Sequence, residues 1–423
     1  MADLQMETGV LEHLRAAWRR TDALFSLLED AAWSERPIAL RQPLIFYLGH
    51  LPAFAWNQLN RGLLDEPSFR SDFDDLFEFG IDPLSKEDVP KEPEWPPRHE
   101  ILAYRDEVRV RLIAAAPQVD ALAKSHRIAA NRRIYHVVLE HELMHHETLL
   151  YMFTQLDESL KDAPVAALAG VDVPTPAVSA KRIAIPAGPA TLGAHFDELD
   201  FGWDNEFPEQ ELNVPDFQID NLPVTNADYM KYVQEGTEPP HNWTRRGSKW
   251  FVRGPFSTRP WSEVSDRPVQ VSQEQAAAYC AWSGARLPTE AELQRAAYAT
   301  PEGTHRNWPW GNAPPTSSHG IFDFHVWEAA PVGSRPEGAS AWGVHELLGN
   351  GWEHTSTLFR PLPGFEAWIA SYPGYSADFF DEKHMVVFGA SWATGAQLLR
   401  RSFRNWFQPG YPFAYSKFRR VWA

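Results

Sequence analysis

Residues 141–147 read HELMHHE, and two of these histidines stand at the spacing of metal ligands. On a helix, His141 and His145 project from one face. Ile134, Val138 and Met152 fall on the same stripe, so both imidazoles are expected to point inward with the core. Polar groups buried together must be satisfied, and a shared metal ion satisfies two imidazoles. The plainer reading is a pair of core histidines bonded to backbone or carboxylates. That reading suits a lone histidine better than two at ligand spacing. The third ligand is expected from another helix, and His50, in the apolar run FYLGHLPAF, is the best upstream candidate. His136 and His146 fall off the stripe and are expected behind the site or exposed. Three neutral imidazoles leave up to three positions open on an octahedral ion. Fe(II) can use these for dioxygen, a thiolate-type ligand and a substrate atom. Zinc also suits three histidines, with one open water position. HELMH fits H-E-x-x-H as well, which would make Glu142 the general base of a zinc protease. No further ligand follows downstream at a convincing protease spacing, which counts against that alternative.

The elements that must hold these histidines are helical. Val10, Leu14, Ala17, Leu24 and Leu27 recur at helical spacing. A second helix is expected over about 43–61, opening at Pro43, a third near 98–116 and a fourth over about 126–157. Four such helices predict an up-down bundle. The acidic stretch 65–97, with Pro90, Pro93, Pro96 and Pro97, is expected to be a solvated loop.

The domains expected are a bundle over 1–165, a linker over 166–180 and a second domain over 181–423. That last part is rich in Gly, Pro, Trp and short strand-like runs such as KRIAIPAG and MVVFGASW. Two short helices stand out in it. One is capped by Thr225 with Asp228 following, and the other opens on a Thr289–Glu292 capping box. The fold class is therefore α+β.

Composition narrows the function. Of 423 residues, 44% are hydrophobic, as in a folded globular protein, and the net charge of −17 offers no basic footprint for nucleic acid. A soluble acidic enzyme acting on small molecules is expected, without a membrane partner: no run of about 18 apolar residues occurs. The N-terminus lacks a signal-peptide core. The single cysteine, Cys280, excludes an intrachain disulfide and reads as a buried thiol. A cytoplasmic enzyme follows as the expectation.

Residues 40–155 resemble a DinB-type bundle carrying a His…HxxxHxE iron site. Residues 181–423 are similar to the formylglycine-generating-enzyme (C-type-lectin-like) fold, through IPAGPATLGA, PVTNADY, RPVQVSQEQAAAYCAW, RLPTEAELQRAA, WPWGN, LLGNGWEHTS, FGASWAT and RSFRNWF. The pairing resembles the ergothioneine-biosynthesis sulfoxide synthases and the related selenoneine synthases. The resemblance implies Fe(II), dioxygen and a reaction joining sulfur or selenium to C2 of the imidazole of hercynine. It places the iron ligands at His50, His141 and His145, with the active site in a crevice between the two domains. Formylglycine generation itself needs a pair of active-site cysteines, which this chain lacks. A lectin-like module fused to a bundle, binding without catalysis, is the non-enzymatic alternative.

The resemblance also implies a substrate segment, FRNW, here Phe403 to Trp406. Arg404, Asn405, Trp406 and Phe407 are the candidate substrate contacts. Trp406 offers an aromatic face to a quaternary ammonium, and Asn405 can hydrogen-bond a carboxylate. A tyrosine proton donor is expected in YPGY, as either Tyr372 or Tyr375, the other forming a wall. Two departures from the family pattern concern the chalcogen donor. Met144 stands between the helix histidines, where a polar residue is common. Phe407 to Pro412 replaces the acidic residue and basic pair that follow FRNW in the γ-glutamylcysteine-using branch. A carboxylate-bearing donor needs a fixed cation, most naturally an arginine. Arg400, Arg401, Arg404, Arg419 and Arg420 lie nearby, several of them candidates for structural ion pairs. The expectation therefore favours a selenosugar, with cysteine or γ-glutamylcysteine as the alternative.

Overall fold

The computed structural model describes residues 9–78, 94–164, 167 and 178–423. The chain divides into two compact units. One comprises residues 1–164 together with 369–373, and the other residues 165–368 with 374–423.

The first unit is built from α1 (Val10–Phe25), α2 (Leu44–Leu59), α3 (Ser71–Leu76), α4 (Arg98–Ala114), α5 (Ala116–Leu122) and α6 (Arg133–Gln155). The four long helices are those the apolar spacing predicts. Helix α1 packs on α6, and α2 packs on both α4 and α6. The fourth helix starts later than expected, because Asn131 and Arg132 both take left-handed backbone angles, φ 52° and 53°. Helix α6 ends where the buried Lys161 ammonium donates to the carbonyls of Phe153 and Leu156, the latter at 3.0 Å. A cation there also opposes the negative end of the helix dipole.

The expectation of a solvated loop over 65–97 is corrected by α3. Phe73 and Phe77 are buried and Asp74 is 1% exposed, accepting a hydrogen bond from the Tyr104 hydroxyl at 2.5 Å. Phe69, Phe73 and Phe77 stand four apart, the pattern of one helix face. The prolines lie after this turn, and residues 79–93 lie outside the described part.

Among the described residues of the second unit, twelve short strands form four small sheets. The first is β1 (Arg182–Ile185), β4 (Phe217–Asp220) and β12 (Val421–Trp422), the chain's last strand pairing antiparallel with β4. β2 (Gly188–Leu192) pairs with β3 (Gln210–Val214). β5 (Trp243–Arg246), β6 (Lys249–Arg253) and β7 (Thr258–Pro260) form a meander. The largest sheet runs β10 (Asn405–Phe407), β9 (Met385–Ala390), β8 (Gly351–Leu358) and β11 (Ser416–Lys417). Helix α9 (Glu290–Tyr298) carries the capping box expected at Thr289; the cap expected at Thr225 of α7 (Asn226–Gln234) is also a full box with Asp228, and α8 (Gln273–Trp282) has a third at Ser272. The mixture of a helical unit and a sheet-bearing unit is the α+β class expected. Apolar residues of β1, β4, β12 and α9, including Ile185, Ile219, Val421 and Leu293, form one core. Glu353, Arg419 and Lys417, all fully buried, lock β8 to the C-terminal strands, with Arg419 Nε 2.9 Å from Glu353 Oε1. Such a buried pair holds only with matched geometry and full hydrogen bonding. Among the described residues, no helix is long and apolar enough to cross a membrane.

Candidate metal centre and aromatic wall

In the first unit, His50 on α2 meets His141 and His145 on α6. One ring nitrogen from each lies within 4.8 Å of the others, and all three side chains are buried. His141 Nε2 and His145 Nε2 stand 3.2 Å apart. Two of the three imidazoles are held in the neutral form. Burial, then His145 and His50, hold His141 well below the usual imidazole range; burial, His50 and Arg41 do the same for His145. Neutral imidazoles keep the lone pair a metal requires.

One orienting contact was not visible in the sequence. His50 Nδ1 donates to the carbonyl of Phe77 at 2.8 Å. A proton fixed on Nδ1 leaves Nε2 as the ligating atom, the arrangement by which proteins orient metal-binding histidines. Gly49 makes the contact possible, since a Cβ there would collide with the Phe77 ring. Phe54, one turn beyond His50, stacks on His141 with centroids 3.5 Å apart. Tyr372, from the 369–373 segment of the same unit, packs edge-on against Phe54 at 5.3 Å. The preceding Ser371 donates to Gln58 Oε1 at 2.5 Å and anchors this segment to α2. The donor set, three buried imidazoles of which His141 and His145 are held neutral and His50 is oriented from behind, fits a divalent transition metal such as iron.

His146 and Glu142 face α1 instead. Thr21 Oγ1 sits 2.8 Å from His146 Nε2 and also donates to Glu142. His146 is therefore fully buried behind the cluster, and burial pushes its imidazole down to about 3. Glu142 is engaged by Thr21 in a pocket lined by Trp18, Phe25, Arg105 and Arg109, an arrangement unlike that of a protease general base at a metal-bound water. His136 is half-buried and Met144 likewise.

In the second unit, Asn405, Trp406 and Phe407 form the edge strand β10, with Trp406 opposite Val386. All three are half-buried. Trp406 stacks on Phe359 at 4.1 Å and meets Tyr375 edge-on at 5.5 Å. Tyr375 in turn stacks on Trp203 at 3.8 Å. Asn405 Oδ1 accepts from the Trp406 amide at 2.8 Å. Arg404 is turned inward. Its Nε and Nη2 bind both oxygens of Glu290 at 2.7 and 3.1 Å, and Nη1 reaches the carbonyl of Arg360 at 3.1 Å. The fork is thus spent on holding the strand. Phe407 stacks on Tyr411 at 5.4 Å. Tyr372 and Tyr375, three residues apart in the sequence, belong to different units. Cys280 is fully buried on α8 and its thiol is pushed up to about 12, far from a thiolate nucleophile.

Family matches divide the chain into a helical and a sheet-bearing part, with residues 369–373, grouped with the first unit, falling inside the second match. Residues 172–423 match the sulfatase-modifying factor enzyme 1-like domain, and residues 13–149 match the DinB superfamily. Ergothioneine biosynthesis protein 1 of Neurospora crassa is 32% identical over 96% of this chain, which spans 56% of that longer protein. The hercynine oxygenase of Mycolicibacterium smegmatis is 35% identical over 68% of this chain and 71% of its own length. Ergothioneine biosynthesis protein 1 of Schizosaccharomyces pombe is 29% identical over 89% of this chain and 51% of its own length. With both domain families present in one chain, and relatives of these two names matching across them, the chain belongs to the ergothioneine-biosynthesis sulfoxide synthase family.

Proposed function

We propose that this chain is a non-heme Fe(II)- and dioxygen-dependent oxidoreductase that joins a chalcogen donor to C2 of the hercynine imidazole. The observation that carries the proposal is the convergence of three buried imidazoles, His50, His141 and His145, within 4.8 Å. Bound iron would supply the activation of dioxygen. The chain's own groups do the rest. Trp406 and Tyr375 provide aromatic faces for the trimethylammonium. Asn405, its Oδ1 turned to the backbone, presents its Nδ2 donor to the substrate carboxylate. Arg404, spent on Glu290, supports this strand from behind. Tyr372, one ring removed from His141 through Phe54, is the proton donor. Phe407 belongs to the donor side. The zinc-protease alternative loses support because the Glu142 carboxylate is engaged by Thr21.

For the donor we favour a selenosugar, with carbon–selenium bond formation. The segment after FRNW presents the stacked Phe407–Tyr411 pair where a charged clamp would hold an amino-acid thiol. The Glu274 amide donates to the Pro409 carbonyl at 3.1 Å, so an acidic side chain borders this segment. A second reading, sulfur transfer from cysteine or γ-glutamylcysteine, is favoured by the names of the relatives. A competition assay separates them. Protein loaded with Fe(II) receives hercynine, dioxygen and equal amounts of cysteine, γ-glutamylcysteine and a seleno-N-acetylglucosamine, with products identified by mass. A selenium-bearing hercynine adduct is expected, and a dominant hercynylcysteine sulfoxide would replace selenium by sulfur. Full metal content and turnover in His50→Ala would sink the three-histidine centre itself, and absence of any oxygen consumption would leave only a binding module.

A further inference from the structure

The short turn Trp203–Glu206 is absent from the proposed chemistry, yet every one of its side chains runs to the substrate segments of the second unit. Trp203, Asp204, Asn205 and Glu206 are all completely buried. Glu206 accepts from the Trp203 amide at 2.8 Å, from Arg400 Nε at 2.7 Å and from the Ser402 hydroxyl at 2.6 Å, which fixes the chain just ahead of FRNW. The Asn205 carbonyl accepts from Arg404 Nη1 at 3.4 Å. On the other side, Ser376 donates to Asp204 Oδ1 and accepts from Asn205 Nδ2 at 3.0 Å. Ser376 directly follows Tyr375, whose ring lies flat on Trp203. One turn therefore grips both walls, the segment bearing Tyr375 and the segment bearing Trp406.

Trp203 Nε1, Asp204 Oδ2 and Asn205 Oδ1 are all buried without a hydrogen-bond partner, and of these three side chains Asp204 is the one that can carry charge. Its Oδ2 is buried with no hydrogen-bond partner, and no lysine or arginine among the described residues pairs with it. A buried carboxylate left half-satisfied costs stability. A purely structural turn would be served better by a neutral amide. Asp204 directly follows Trp203, whose ring stacks on Tyr375, and bonds Ser376, the next residue after Tyr375, so its negative charge is tied to this wall and favours a cation bound there.

We propose that Asp204, acting through Ser376 and the Trp203 ring, is a positioning residue that sets Tyr375 against Trp406 and biases that wall toward a quaternary ammonium substrate. The inference rests on the reading that the wall receives hercynine, and it adds the turn that builds the wall. It also assigns a basis for selectivity, since a permanently charged, poorly hydrated trimethylammonium gains from rings tied to that charge, whereas a protonated amine must first shed strongly held water.

The test compares wild type, Asp204→Asn, Ser376→Ala, Ser376→Thr and Trp406→Ala, all loaded with Fe(II), by hercynine calorimetry and steady-state kinetics. Near-UV circular dichroism and thermal unfolding check that the second unit of each variant is folded, and metal content checks the first. In Asp204→Asn and Ser376→Ala, Kd and KM for hercynine are expected to rise about tenfold, the scale of a lost cation–π contact. Turnover at saturation is expected to stay within about twofold, the signature of lost uniform binding. Ser376→Thr, which keeps the hydroxyl, should recover wild-type affinity, and the preference for hercynine over histidine should shrink in Asp204→Asn. Wild-type affinity and preference in both Asp204→Asn and Ser376→Ala, with Trp406→Ala still weakened, would overturn the positioning role and leave the hercynine reading standing. A wild-type protein that does not bind hercynine would overturn both. If Ser376→Ala fails to fold, the near-isosteric Asp204→Asn decides alone.

Discussion

Gly49→Ala is the most incisive perturbation of the metal centre, because it touches neither a ligand nor a charged group. A Cβ built on Gly49 falls 2.5 Å from Phe77 Cδ1 and closer still to Cε1 and Cζ. That is about 1 Å short of ordinary carbon–carbon contact. The ring has little room to yield. Phe77 is fully buried, stacked on Trp95 at 6.0 Å and edge-on to Phe73 at 5.7 Å. The strain is therefore passed to the Phe77 backbone, whose carbonyl holds His50 Nδ1 at 2.8 Å. A displacement of about 1 Å takes that separation beyond hydrogen-bonding distance. Overpacking of this kind costs about 1–3 kcal/mol of stability. Loss of the group that orients a ligating histidine weakens metal binding about 10- to 100-fold. Anaerobic Fe(II) titration against a competing chelator, with thermal unfolding alongside, measures both. The double variant Gly49→Ala/Phe77→Leu relieves the clash while keeping the backbone carbonyl, and should recover most of the affinity. If Gly49→Ala binds Fe(II) as wild type does, the Phe77 carbonyl does not orient His50 and the reasoning fails.

Two further outcomes follow. Tyr372→Phe should keep Fe(II) and hercynine affinity near wild type while diverting oxygen consumption toward simple oxidation of the chalcogen donor; product analysis showing full coupling would move the proton to another residue. Asp204 gives a pH signature in stability. Burial pushes its carboxyl up from 3.8 to about 6, so the folded chain holds this proton more tightly than the unfolded one. Its contribution is then neutral below about pH 4, turns unfavourable as pH rises toward 6, and stays so above, by roughly 3 kcal/mol for such a gap. Asp204→Asn should accordingly raise Tm relative to wild type at pH 7.5 and much less at pH 4; parallel Tm–pH curves for the two proteins would refute the shift.

The sequence pointed to the three proposed ligand histidines through chemistry more than through periodicity. Helix α6 buries residues on nearly every side, including Glu140, Glu142, His146 and Glu147, so the apolar stripe containing His141 and His145 could not by itself single them out. What distinguished them was the four-residue spacing of two imidazoles and an upstream histidine set among apolar neighbours. His146 shows the limit of that reasoning. It is as deeply buried as the proposed ligands, but its partner Thr21 comes from α1, 125 residues away. No local pattern announces such a pairing.

The orienting residues were hidden for a different reason. Phe77 acts through its backbone carbonyl, which every residue has, and only Phe69, Phe73 and Phe77 at helical spacing hinted that this stretch is ordered at all. Arg404 was legible as a position and misleading as a role. A motif places the residue on β10, but Glu290, 114 residues earlier, takes up the guanidinium. The same holds for Trp203–Glu206, where four consecutive residues with no periodicity and no ligand spacing connect the segments of Tyr375 and Trp406. Groups that would meet metal or substrate can be guessed from their own chemistry, because that chemistry is written in the residue type. Groups that hold those in place are defined by what the fold brings to them. Here they are a carbonyl, a glycine without a side chain and a buried carboxylate with one oxygen left unpaired, and each is testable by a substitution that leaves every proposed ligand and substrate contact in the sequence.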